Sequence, residues 1–107
     1  MAIELHAGNF QEEVLSSSLP VVVKAYASWC GPCVAMAPIY EKVEKQYVER
    51  VRFCELNVDQ ARDLAIQLGV TSIPTLIFVR DGQVIGRETG YLDERSLTDK
   101  INQFFVS

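Results

Sequence analysis

The run Val21–Ala27, V-V-V-K-A-Y-A, passes almost directly into Trp29-Cys30-Gly31-Pro32-Cys33, and no other junction in the chain constrains the fold as much. Its apolar, largely β-branched make-up lacks strict alternation, which predicts a strand buried on both faces with Lys24 as the one polar exception. Gly31 allows a tight turn. Pro32 suits the first helical position, where its missing N–H would have had no partner and its fixed φ is already helical. A central strand therefore runs straight into a helix that opens at two cysteines. At positions i and i+3 of an opening helical turn, two sulfurs fall on one face, near enough to satisfy disulfide geometry. Cys30 also sits where unpaired backbone N–H groups and the helix dipole favour a thiolate. The spacing points to dithiol/disulfide exchange.

Composition limits the alternatives. The 107 residues carry no linker-like stretch and are nearly half apolar, so one domain over residues 1–107 is expected, with a core of its own. Ten basic residues lie scattered among fourteen acidic ones, for a net charge of -4, which argues against a nucleic-acid partner. Met1–Asn9 has no basic stretch leading into an apolar one, so no secretory signal is expected. The longest apolar run, Leu19–Val23, is interrupted by Pro20 and ends at Lys24, too short to span a bilayer. Three cysteines, an odd number, fit a reducing compartment, hence the cytoplasm, where a close C-x-x-C pair is catalytic or metal-binding rather than structural.

The remaining elements follow from periodicity and turn chemistry. Ile3–Leu5 predicts a short strand, and Asn9 is a candidate cap for a helix through about Ser16. The helix after the central strand extends to about Tyr47, since Met36, Tyr40, Val43 and Tyr47 recur at helical spacing, and Pro38 predicts a kink within it. Val51–Val58 is a second strong strand. Asp59 is a candidate cap for a short helix over about Ala61–Leu68, closed by Gly69. Thr75–Val79 and Gln83–Glu88 flank Asp81-Gly82, a strong signal for an antiparallel hairpin. A last helix spans about Asp93 to Phe105, with Leu97, Ile101, Phe104 and Phe105 inward. The order βαβαβαββα implies an α/β fold: parallel pairs joined by crossover helices, a terminal hairpin, and one sheet covered on both faces.

W-C-G-P-C after V-V-V-K-A-Y-A-S, L-N-V-D-Q at Leu56–Gln60, S-I-P-T at Ser72–Thr75, and Gly90 after the last strand together resemble the thioredoxin family, in order and over essentially the whole chain. The resemblance implies a thioredoxin fold, a mixed five-stranded sheet of order 1-3-2-4-5 with two helices on each face. It implies general protein disulfide reduction, with Cys30 as the exposed attacking thiol and Cys33 as the buried resolving one. Pro74 would follow a cis peptide bond beside the pair, and Trp29, Gly31, Pro32, Ile73, Pro74 and Gly90 would form the apolar surface that receives a substrate. No bound cofactor or metal is implied beyond the redox-active disulfide itself. Partners would be disulfide-containing proteins and a thioredoxin reductase, NADPH- or ferredoxin-linked, with the chain acting as a monomer.

The chain departs from the family pattern behind the cysteines. Where the family carries a buried Asp on the central strand and a Lys on its neighbour, alignment on the motifs brings Lys24 and Glu55. An isolated buried Lys loses its proton readily, and a partner carboxylate restores the charged form, so an inverted ion pair is the simplest reading. Lys24 and Glu55 are thus candidates for proton transfer to and from Cys33, or a pair that merely satisfies itself. Val34 stands where many family members have Lys, which removes positive charge near the active surface.

Two other functions draw on the same residues. One is a non-catalytic interaction module that uses the apolar surface around Trp29 and Pro74; mere binding would not need two thiols. The other is a Cys₃His zinc set of His6, Cys30, Cys33 and Cys54, which lacks the paired spacing of zinc ribbons. Cys54, mid-strand, reads as small core.

Overall fold

The computed structural model describes residues 1–106. The strands are β1 (Ile3–Glu4), β2 (Val21–Tyr26), β3 (Arg52–Asn57), β4 (Thr75–Arg80) and β5 (Gln83–Thr89), and the helices are α1 (Gly31–Glu44), α2 (Arg62–Gln67) and α3 (Glu94–Phe105). A π-helical turn at Gln11–Leu15 and a 3₁₀ turn at Lys45–Tyr47 complete them. The strands form one mixed sheet in the order β1-β3-β2-β4-β5, with β1/β3 and β3/β2 parallel and β2/β4 and β4/β5 antiparallel. This is the thioredoxin fold expected from the sequence.

Side-chain parity on β2 divides the core. Val21, Val23 and Ala25 pack with Val14 of the π-helical turn and Leu64 and Ala65 of α2. Val22, on the opposite face, packs with Met36, Tyr40 and Val43 of α1 and Leu97 and Ile101 of α3. Each face therefore carries two helical elements, and β2 is covered on both, as its unbroken apolar run requires. Tyr40 locks α1 to the sheet: its hydroxyl lies 2.8 Å from the Cys54 carbonyl oxygen and 3.0 Å from that of Val22, which share its one proton.

Local signals hold where the partner is a neighbour in sequence. Asp81 and Gly82 both adopt positive φ, 52° and 77°, the pattern that lets a two-residue turn match the twist of β4 and β5. Asp93 caps α3 by accepting a 2.8 Å hydrogen bond from the Ser96 N–H. α1 runs on past Pro38 to Glu44. The missing proline N–H is tolerated because Pro38 is exposed.

Two expected caps are not caps. Asn9 does not open the first helical segment; its side chain accepts from the His6 N–H at 2.9 Å and donates to the Glu4 carbonyl at 3.0 Å, fastening the loop to β1. Asp59 does not cap α2, whose N-cap is Ala61 without a side-chain bond. Asn57 takes the local turn instead, accepting from the Asp59 and Gln60 N–H groups at 2.9 and 3.2 Å. Asp59 is thereby left to turn toward another part of the molecule. Among the described residues, no helix is long and apolar enough to cross a membrane.

Candidate active site

β2, the central strand, ends at Tyr26, and α1 begins a few residues beyond its C-terminal end. Cys30 is the N-cap of α1, in extended backbone conformation, and its Sγ accepts a 3.2 Å hydrogen bond from the Cys33 N–H. Cys30 and Cys33 are joined as a disulfide with Cα atoms 5.2 Å apart. Sulfur at the head of a 14-residue helix faces unpaired N–H groups and the positive end of the dipole, so charge on Cys30 is favoured once the bond opens. The pair sits in a small apolar cluster with Ala27, against which Tyr26, Val58 and Ile73 pack.

Exposure of the two sulfurs differs less than the sequence suggests. Cys30 is 6 % exposed and Cys33 2 %. The expectation of an exposed Cys30 is corrected for this oxidised state, because the closed disulfide holds Cys30 against Ala27 and Ile73. Exposed surface instead comes from the flanking residues. Trp29 is 70 % exposed, and Gly31 and Pro32 are exposed beside it. Trp29 Nε1 donates a 2.7 Å hydrogen bond to Asp59 Oδ2, which fixes the indole beside a shallow groove of about 190 Å³ lined by Val58, Val70, Thr71, Ser72 and Ile73.

The Ile73–Pro74 peptide is cis, and Gly90 N–H donates to the Pro74 carbonyl at 2.8 Å. Gly90 has φ of 101°, a conformation L side chains rarely adopt. Ile73 and Gly90 are partly buried, whereas Pro74 is buried, so Pro74 lies beneath the surface it was expected to help form. Val34 and Tyr91 extend the apolar rim, 60 % and 49 % exposed.

On the α1 face of the sheet, Lys24 and Glu55 are register partners on β2 and β3, and Lys24 Nζ lies 3.8 Å from Glu55 Oε1. The inverted ion pair is present. Lys24 is 2 % exposed, while the Glu55 side chain keeps 28 % of its surface. Burial pushes the Lys24 pKa down, against the opposing pull of Glu55 and Glu4. Burial likewise pushes Glu55 up, against the opposing pull of Lys24. Desolvation is the larger influence on both, as it must be for a contact longer than a hydrogen bond. The Lys24 ammonium also lies 4.7 Å from the ring centre of Tyr40 and 5.4 Å from that of Tyr26. Both aromatic faces favour the cation.

The zinc set does not assemble. Cys54 is a free, fully buried thiol in the core on the α2 side of the sheet, and the His6 Nδ1 accepts from the Gly8 N–H. Among the described residues, no cluster of three or more His, Cys, Asp or Glu side chains could hold a metal ion.

The sequence reading missed the roles of Asp59, Tyr26 and Glu4. Parity along β2 sets Tyr26 on the same face as Lys24, and that signal was available. Nothing local marks Asp59 as the partner of Trp29 or Glu4 as the partner of Tyr26.

The family model described as Thioredoxin matches residues 1–103. The chain is 37 % identical over 95 residues to thioredoxin 1 of Synechococcus elongatus, covering 89 % of each protein. It is 33 % identical over 101 residues to a thioredoxin of Haemophilus influenzae, covering 94 % of each. With a thioredoxin of Chlorobaculum thiosulfatiphilum it shares 37 % over 95 residues, 89 % of this chain and 88 % of that one.

Proposed function

The chain belongs to the thioredoxin family and is a protein disulfide oxidoreductase, and we propose that Cys30 is its attacking thiol and Cys33 its resolving one, in a single domain spanning residues 1–107. The observation that carries this assignment is the 3.2 Å bond from the Cys33 N–H to Cys30 Sγ at the head of α1. It supplies a donor to negative charge on Cys30, and Cys33 has no equivalent bond to its sulfur among those of the site. Cys30 thiolate attacks one sulfur of a substrate disulfide, forming a mixed disulfide and releasing the other substrate sulfur as a thiolate. Cys33, deprotonated, then attacks Cys30 Sγ and releases the second substrate thiol. Two electrons pass to the substrate, and the protein is left with the Cys30–Cys33 bond. The second attack is intramolecular and so proceeds at high effective concentration.

Cys33 must lose a proton before it attacks. Glu55, its carboxyl pKa raised by burial, is suited to accept that proton through water, and Lys24 to hold the resulting charge arrangement in place. Trp29, Gly31, Pro32, Ile73 and Gly90 receive the substrate chain, with Pro74 supporting them from below. The groove between Trp29 and Ile73 takes an apolar side chain next to the substrate cysteine. The partners are disulfide-containing proteins and a thioredoxin reductase, NADPH- or ferredoxin-linked, met in the cytoplasm by a monomer that needs no bound cofactor.

Dithiothreitol-driven reduction of a protein disulfide tests the assignment. Cys30→Ser abolishes turnover, and Cys33→Ser accumulates a mixed disulfide with the substrate. Trapping through Cys33 in the Cys30→Ser protein would reverse the two roles. For the proton step, Lys24→Met and Glu55→Gln shift the pH dependence of resolution; a profile unchanged in both removes the pair from the chemistry.

A further inference from the structure

Glu4 lies on β1, an edge strand of only two residues, and is the register partner of Glu55, which is in turn the partner of Lys24. Register partners point to the same face of a sheet, so Glu4, Glu55 and Lys24 form a row across β1, β3 and β2. Tyr26, two residues beyond Lys24, shares that face. Its hydroxyl donates a 2.8 Å hydrogen bond to Glu4 Oε1. These two residues sit two strands apart, about 9–10 Å at ordinary strand spacing, so the phenol reaches across β3 on the face that carries Glu55.

Lys24 needs more than Glu55 provides. Its Nζ is 3.8 Å from Glu55 Oε1, beyond hydrogen-bond length, and Glu55 is itself partly hydrated. The other groups facing the ammonium are the rings of Tyr26 on β2 and Tyr40 on α1, while its β4 register partner is the uncharged Leu76. Glu41 and Glu44 of α1 act on Glu55, raising its carboxyl pKa along with Glu4. Glu4 is exposed on this edge strand, and an untethered side chain there would be free to point away from Lys24. The Tyr26 hydroxyl prevents that by tying the carboxylate down on the Lys24 face.

We propose that Glu4, held across β3 by the Tyr26 hydroxyl, is the second counter-charge of Lys24 and a positioning residue for the redox centre. Its functional meaning rests on the reading that Lys24 and Glu55 handle the proton of Cys33. The arrangement makes the charge around Lys24 depend on the N-terminal strand, since β1 is joined to the sheet through β3 alone. It also gives Tyr26 two duties, packing on the cysteine cluster with its ring and aiming Glu4 with its hydroxyl.

The test follows the ¹³Cε resonance of Lys24 by NMR as pH is raised, in the full-length oxidised protein, with Lys24→Met assigning the signal. Glu4→Gln keeps an acceptor for Tyr26 and removes the charge; Tyr26→Phe keeps the ring and removes the tether. Both variants are expected to lower the Lys24 midpoint, Glu4→Gln the more strongly, by at least about a twofold rise in the acid dissociation constant of the ammonium. An unchanged midpoint in either variant overturns the proposal. The pH profile of mixed-disulfide resolution, measured on the same variants, separates this from the proton-transfer reading. A midpoint that moves while the profile stays fixed upholds Glu4 as counter-charge and removes Lys24 from the chemistry.

Discussion

Replacing Lys24 by Met changes the stability of the fold little at neutral pH, because the contributions that the structure identifies oppose one another. Lys24 is 2 % exposed and its nearest carboxylate oxygen is 3.8 Å away, so its ammonium is desolvated without a close hydrogen bond to Glu55 in return. Replacing both members of a buried ion pair by apolar side chains is often neutral or stabilising by about 1–4 kcal/mol, whereas removing one member costs about 3–5 kcal/mol when the other is left buried. The cation contacts with Tyr40 and Tyr26 are lost, which offsets about 1–2 kcal/mol. Glu55 is left without its partner but keeps 28 % of its side-chain surface and can hydrate. These contributions nearly offset, and the variant is expected within about 2 kcal/mol of wild type at pH 7.5. For a chain of this length each kcal/mol corresponds to roughly 4–5 °C in Tm.

The pH dependence is the sharper part. Burial lowers the Lys24 pKa from its unfolded value of 10.5, so between the two values the unfolded chain holds a proton that the folded protein does not. Wild-type stability from this group therefore rises with pH through that window, its penalty being full below the folded pKa. Tyr26 and Cys54 act in the opposite sense: both are pushed up to about 12, so the folded protein keeps protons that the unfolded chain has already lost, and stability falls. Those contributions are common to both proteins and cancel in the difference. The stability of Lys24→Met relative to wild type is thus greatest near neutrality and falls toward pH 10.5. Urea denaturation of both oxidised proteins at pH 7.5 and 10 measures it. A variant less stable by more than about 2 kcal/mol at pH 7.5, or a relative stability that grows with pH, would refute the reasoning.

Two further outcomes follow from single residues. Cys54 is fully buried with its thiol pKa pushed up to about 12, so in the native oxidised protein at pH 8 it resists a maleimide reagent; labelling as fast as in urea would show that the strand core opens freely. Asp93→Ala removes the side-chain bond to the Ser96 N–H and is expected to lower the urea midpoint at unchanged m-value.

By itself the sequence determined what depends on neighbours along the chain. The apolar run of Val21–Ala27 implied a strand covered on both faces, Asp81-Gly82 an antiparallel hairpin, and Cys30-Gly31-Pro32-Cys33 a dithiol at the head of a helix. Each is a matter of backbone preference or periodicity over a few residues, whereas the caps expected of Asn9 and Asp59 were lost to other partners. The inverted pair was also legible, because Lys24 and Glu55 stand at fixed offsets from recognisable motifs. Tertiary structure alone decided which side chains meet across long separations. Trp29 and Asp59 lie 30 residues apart, and Tyr26 and Glu4 lie 22 apart. Asp59 had an attractive local alternative as a helix cap, but the turn around Asn57 delays the start of α2 to Arg62 and leaves the Asp59 carboxylate to Trp29. Glu4 carried no signal at all in a strand of two residues. The near-closure of Cys30 likewise follows from the residues folded around the disulfide, Ile73 among them, and a hydrogen bond or a packed face is chosen only once the sheet has brought its strands side by side.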